Sequence, residues 1–141
     1  MMKKLLIAGL VCLVVFTLSC ERDDDDDDDA GGRSHNAGKN CLSCHKDFKM
    51  AGSVYNKALN GAYPGAKIKL TSQANGGGTV LTTLSSDQSG NFYTESQINF
   101  GTGVFVSVEG TTGTLKHMNA SVTGGACNSC HGSSASKIWA E

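Results

Sequence analysis

Apolar and polar positions alternate along the middle of the chain in short runs. Ile68 and Leu70 alternate with lysines, and Val104, Val106 and Val108 share one face while Phe105 takes the other. A period of two places successive side chains on opposite faces of a strand. Runs of this kind predict strands over residues 52–55, 66–71, 79–84, 91–94 and 103–109. Between them, Ala62-Tyr63-Pro64-Gly65, Asn75-Gly76-Gly77-Gly78 and Asp87-Gln88-Ser89-Gly90-Asn91 have turn chemistry, with Asp87 as a turn-former rather than a calcium ligand. No stretch in this region repeats with helical spacing. The expectation is a mainly β fold, a small antiparallel β-sandwich over residues 51–110 flanked by two irregular segments.

The N-terminus follows a different pattern. Lys3 and Lys4 precede a continuous apolar run from Leu5 to Phe16, which reads as an export signal over residues 1–19. The run is too short to be a permanent transmembrane helix. Phe16-Thr17-Leu18-Ser19-Cys20 resembles a bacterial lipoprotein box. That resemblance implies cleavage before Cys20, lipid attachment to it and anchoring in the outer membrane, facing the periplasm or the cell surface. Plain signal cleavage and secretion is the alternative. Seven aspartates, Asp23 to Asp29, follow within a stretch that has no apolar residue larger than Ala30, so residues 20–34 read as an acidic tether.

The whole chain has 141 residues and a formal charge of -1, room for about one compact domain. From Ala30 onward nine Lys/Arg stand against five Asp/Glu, and they are scattered. That argues against a nucleic-acid partner, which needs a clustered basic face.

The six cysteines carry the chemistry. Cys12 lies in the signal and Cys20 at the processing site. The remaining four form Cys41-Leu42-Ser43-Cys44-His45 and Cys127-Asn128-Ser129-Cys130-His131. Cys-x-x-Cys-His is the attachment sequence of c-type haem. Two thiols three positions apart on a turn reach the two vinyl groups of one porphyrin, and the next residue brings an imidazole to the iron. The expectation is two covalently bound haem c groups, with His45 and His131 as proximal ligands. A single zinc held by four thiolates, or a pair of disulfides, are the rival readings. Both leave the repeated histidine without a role.

Each iron also needs a distal ligand or an open position. His35 lies six residues before Cys41 and His117 ten before Cys127, one free histidine per haem, with His35 serving either its own haem or the other. Met118 is the alternative to His117, since a thioether also binds iron and raises the reduction potential. Met50 reads as a packing residue. Residues 35–50 and 111–141 thus become the first and second haem-binding segments, the latter ending in a tail whose Ile138 and Trp139 are positioned to pack on a haem or the sandwich.

Two resemblances extend this picture. Gly52-Ser53-Val54-Tyr55, Gly61-Ala62-Tyr63-Pro64-Gly65-Ala66-Lys67-Ile68-Lys69-Leu70 and Ser86-Asp87-Gln88-Ser89-Gly90-Asn91-Phe92 together resemble the carboxypeptidase regulatory-like, or transthyretin-like, β-sandwich. This implies a scaffold without catalytic residues of its own. The stretch from His35 to His45 and the stretch from Gly124 to Gly132 make the chain similar to the small exported dihaem c-type cytochromes of metal-respiring bacteria. That implies an electron carrier rather than an enzyme. Its partners would be other cytochromes or redox proteins, a mineral or a redox shuttle, with self-assembly through stacked haems as a further route. The non-redox alternative is a surface adhesion or glycan-binding β-sandwich with structural zinc, and the enzymatic alternative is a dihaem peroxidase or reductase with one open iron. It would need acid/base groups over that iron, and the only mid-chain glutamates, Glu95 and Glu109, lie far in sequence from either motif.

Overall fold

The computed structural model describes residues 36–141. The expected signal, the lipidation site Cys20, the acidic tether and His35 lie outside the described residues. Eight strands follow in order: β1 (Met50–Asn56), β2 (Lys67–Thr71), β3 (Val80–Ser85), β4 (Asn91–Thr94), β5 (Phe105–Glu109), β6 (Leu115–His117), β7 (Gly125–Ala126) and β8 (Ile138–Ala140). Short 3-10 turns at Cys41–Ser43, Ala74–Gly76 and Cys127–Ser129 are the helical elements among the described residues. The fold is mainly β, as the alternation predicts.

One sheet has the order β3-β2-β5-β6 and is antiparallel throughout. The other is built on β1. β4 pairs antiparallel along one edge of β1, while β7 and β8 pair parallel with its first and last parts. The two sheets meet over Met50, Val54, Ile68, Leu70, Phe92, Val104 and Val108, all buried. Leu70 pairs with Val106 and Ile68 with Val108, so the alternation seen in the sequence becomes one inner face. Fully burying a side chain such as Phe92 or Leu70 stabilises the fold by about 1.5–3 kcal/mol.

Three strands extend the sheets beyond residue 110. β6, β7 and β8 span two or three residues each and have too few positions to show a period. They form because β1 and β5 present unpaired edges to the chain that follows. Lys116 closes the tail by placing its Nζ 3.4 Å from the centroid of the Trp139 ring. Two details match expectation. Asp87 accepts backbone N–H bonds from Ser89 and Asn91 at 2.9 and 2.8 Å, a turn-forming role, and Met50 is a fully buried core residue.

Candidate haem-attachment sites

The two Cys-x-x-Cys-His segments fold alike. In each, the first three residues make a 3-10 turn and the second cysteine stays in the right-handed helical region. Cys44 and His45 N–H groups donate to the Cys41 carbonyl at 3.3 and 2.9 Å, and those of Cys130 and His131 to the Cys127 carbonyl at 3.2 and 3.0 Å. The serine at the third motif position repeats as well. Ser43 Oγ donates to the carbonyl of Asn40 at 2.7 Å, and Ser129 Oγ to that of Ala126 at 2.6 Å. Two sequences 86 positions apart therefore reach one backbone solution.

Their surroundings differ. The first motif is held mainly by local contacts. Asn40 Oδ1 accepts from the Leu42 N–H at 3.1 Å, and the exposed His45 ring stacks on Phe48 with centroids 4.6 Å apart. Phe48 stacks in turn on Tyr93 of β4 at 4.3 Å. The second motif is held by the core of the fold. Its turn follows directly from β7, and Asn128, 3% exposed, accepts from the Ser53 N–H of β1 at 3.1 Å. Gly52 allows the approach, because a Cβ there would lie 2.6 Å from Phe92 Cζ and 2.9 Å from Cys127 Cβ.

The motifs also touch one another. Asn128 Nδ2 lies 3.2 Å from Ser53 Oγ and 3.8 Å from Cys41 Sγ, and Ser53 Oγ donates to Asn91 Oδ1 at 2.8 Å. In return Leu42 of the first motif lines a cavity of about 380 Å³ that contains Cys127, Cys130 and His131 of the second, with Val106 and Met118 among its walls. The residue after the first cysteine of each motif thus reaches the other motif. A chain separation of more than 80 residues is closed by strand β1, against which both turns pack.

A porphyrin would need an apolar slot with thiols and an imidazole at its edge, and the cavity beside Cys127 has that composition. His131 Nδ1 lies 2.6 Å from the Ser136 carbonyl oxygen. A carbonyl only accepts, so Nδ1 carries the proton and Nε2 keeps its lone pair for a metal. Burial pushes the Cys127 thiol up to about 12, with the neighbouring Cys41 adding to the shift. Cys41 is raised too, by burial. Beside it, the Tyr55 hydroxyl is buried with no partner and Lys137 Nζ sits 4.4 Å from the Tyr55 ring centroid. A buried donor and a cation at that spot fit the carboxylates that a haem on the first motif brings. Cys41, Cys127 and Cys130 are free thiols.

The distal candidates separate. His117 and Met118 are neighbours at the end of β6 and face opposite ways. Met118 lines the cavity beside Cys127, while His117 packs beneath the turn at Gly76, where an added Cβ would lie 3.2 Å from His117 Cε1. Glu109 pairs with Lys69, whose hydrogen bond and charge hold its carboxyl below the usual carboxylate range. Among the described residues, no three His, Cys, Asp or Glu side chains converge to hold a metal ion. No helix among them is long and apolar enough to cross a membrane.

No family model, curated protein or solved structure matches this chain. The geometry carries the functional argument alone.

Sequence reading did not anticipate Asn128, Ser53 or Leu42 as the link between the motifs. The available signal was Ser53, a polar residue inside the otherwise apolar or small run Met50 to Val54. A buried serine there has to find a partner, and it finds two asparagines.

Proposed function

We propose that this chain is a dihaem c-type cytochrome that carries electrons outside the cytoplasm of a bacterium, tethered through Cys20. The observation that carries the reading is the pair of Cys-x-x-Cys-His turns, alike in backbone hydrogen bonding and both packed against β1. Cys41 and Cys44 would attach one haem and Cys127 and Cys130 the other, with His45 and His131 as proximal ligands and His35 closing the first iron. When bound, each haem supplies a one-electron couple. The chain's own part is to fix the porphyrins, orient the imidazoles and keep the second site dry. The Ser136 carbonyl orients His131, and the apolar walls around Cys127 exclude water.

The sandwich is read as the scaffold that sets the spacing between the two sites. Its likeness to the carboxypeptidase regulatory-like module supports that role. Donor and acceptor would be other redox proteins, a mineral or a shuttle.

The test is the full chain made in a host with cytochrome c maturation. A mass gain of two haems and the sharp bands of low-spin reduced haem are expected. A colourless protein, or one that gains zinc instead, overturns the reading. Carbon monoxide binding to the reduced protein would mark an open iron and shift the reading to a peroxidase or reductase.

A further inference from the structure

We infer that Met118, and not His117, is the distal ligand of the second haem, so that the two irons have different ligand sets. The inference rests on the dihaem reading and assigns within it a ligand that the sequence leaves undecided.

β6 pairs with β5 in the register Ser107↔His117 and Val108↔Lys116. Side chains on neighbouring strands that stand opposite share a face. His117 therefore shares the face of Ser107, which is turned away from Val106 and Val108. That face is covered. Ser107 is 3% exposed, and both Ser107 Oγ and His117 Nδ1 are buried with no hydrogen-bond partner. The turn Ala74–Gly76 packs against β5 and β6 there. Bringing the imidazole round to the other face would mean rotating the strand and breaking its pairing.

The chain continues in the same register for one more residue. The Met118 N–H donates to the Val106 carbonyl at 2.9 Å, so Met118 takes the face of Val106 and Val108. Both valines line the cavity of about 380 Å³, and so do Met118, Cys127, Cys130 and His131. The proximal imidazole, both attachment thiols and the Met118 thioether thus border one apolar space. The chemistry agrees with the placement. A thioether carries no charge and no N–H to desolvate, whereas a second imidazole in that space would bury a donor without an acceptor. Histidine–methionine ligation raises an iron's potential. A Met118 thioether would accordingly raise the potential of the second haem.

The test compares three holoproteins: the natural chain, Met118→Leu and His117→Ala. Haem number by mass, the far-red sulfur-to-iron absorption band of the oxidised protein and a redox titration are read on each. Met118→Leu is close to volume-conserving, so the fold is expected to survive it. The expected result is two haems in all three and a far-red band in the natural chain. His117→Ala keeps the band and both potentials. Met118→Leu loses the band, and one of its two potentials alone falls. A band that is absent from a natural chain carrying two haems overturns the assignment and leaves the dihaem reading standing. So does a His117→Ala protein in which one haem turns high-spin. A chain that takes up no haem overturns both.

Discussion

The two attachment motifs share a backbone and differ in what surrounds it. Around Cys41 to His45 the supports are a local cap from Asn40 and an aromatic stack of His45, Phe48 and Tyr93, with Tyr93 52% exposed. Around Cys127 to His131 they are strand pairing, a buried asparagine and an apolar cavity between the sheets. Spacing alone makes the turn: three residues bring two thiols to one side, and a serine hydroxyl bonded back to the preceding carbonyl steadies it. The surroundings decide the rest, including solvent access, the second ligand and how far the cofactor contributes to the stability of the fold. One motif is placed on the sandwich and the other is part of it.

Removing the cysteines tests this difference most strongly. Cys127→Ser with Cys130→Ser should lose one haem and leave the core cavity without its occupant. The expected loss is about 3–5 kcal/mol, the scale of emptying a large core side chain. Cys41→Ser with Cys44→Ser should also lose one haem, yet lower stability by less than about 1 kcal/mol, as for surface changes. Mass spectrometry counts the haems and thermal melting gives the stabilities. Equal melting temperatures for the two double variants would break the comparison.

Next in size is Gly52→Val. Its Cβ would sit within 3 Å of both Phe92 and Cys127, where overpacking costs about 3 kcal/mol. The effect should be confined to one site. Haem occupancy at the second motif falls while the first motif fills normally, as peptide mapping of haem-bearing fragments would read. A uniform fall at both motifs would mean that Gly52 serves the fold in general and not the approach of the second turn.

The legibility of the molecule divides along the same line. Both motifs were visible in the sequence, because Cys-x-x-Cys-His is defined by fixed residue types at fixed spacing. The core face of β2 and β5 was visible because Ile68, Leu70, Val106 and Val108 repeat with period two. The short strands β6 to β8 were not, since two or three residues cannot show a period and they form on edges supplied by β1 and β5. The facing of His117 and Met118 was hidden for the same reason. Adjacent residues in an unrecognised strand leave open which of them points inward, and only the register with Ser107 decides it. The inter-motif link was hidden because Asn128 and Ser53 are 75 positions apart and neither is unusual alone.

The two asparagines beside the motifs sharpen the comparison further. Asn128→Ala leaves the Ser53 N–H buried without its acceptor and removes the contact to Cys41, at a cost of about 1–2 kcal/mol. Because Asn128 connects the two turns, the variant should also change the coupling between the haems. In a redox titration that appears as altered separation of the two potentials with both haems still attached. Unchanged potentials at reduced stability would make Asn128 a core residue only.

Asn40→Ala has the smallest expected effect. Its side chain accepts from Leu42 N–H within the same turn, and the group left without a partner is close enough to solvent to find water. The loss should be about 0.5 kcal/mol, the low end for removing an N-terminal cap. The consequence for the cofactor is also local. Loosening the turn around Cys41 and Cys44 should lower the yield of haem at the first motif during maturation, leave the second motif full and barely move the melting temperature. Hydrogen exchange on the holoprotein would place the change in residues 41–45 and leave 127–131 protected. If protection fell at both motifs, the contact through Asn128 and Leu42 would couple the turns more tightly than their separate supports imply, and the first motif would belong to the core as fully as the second.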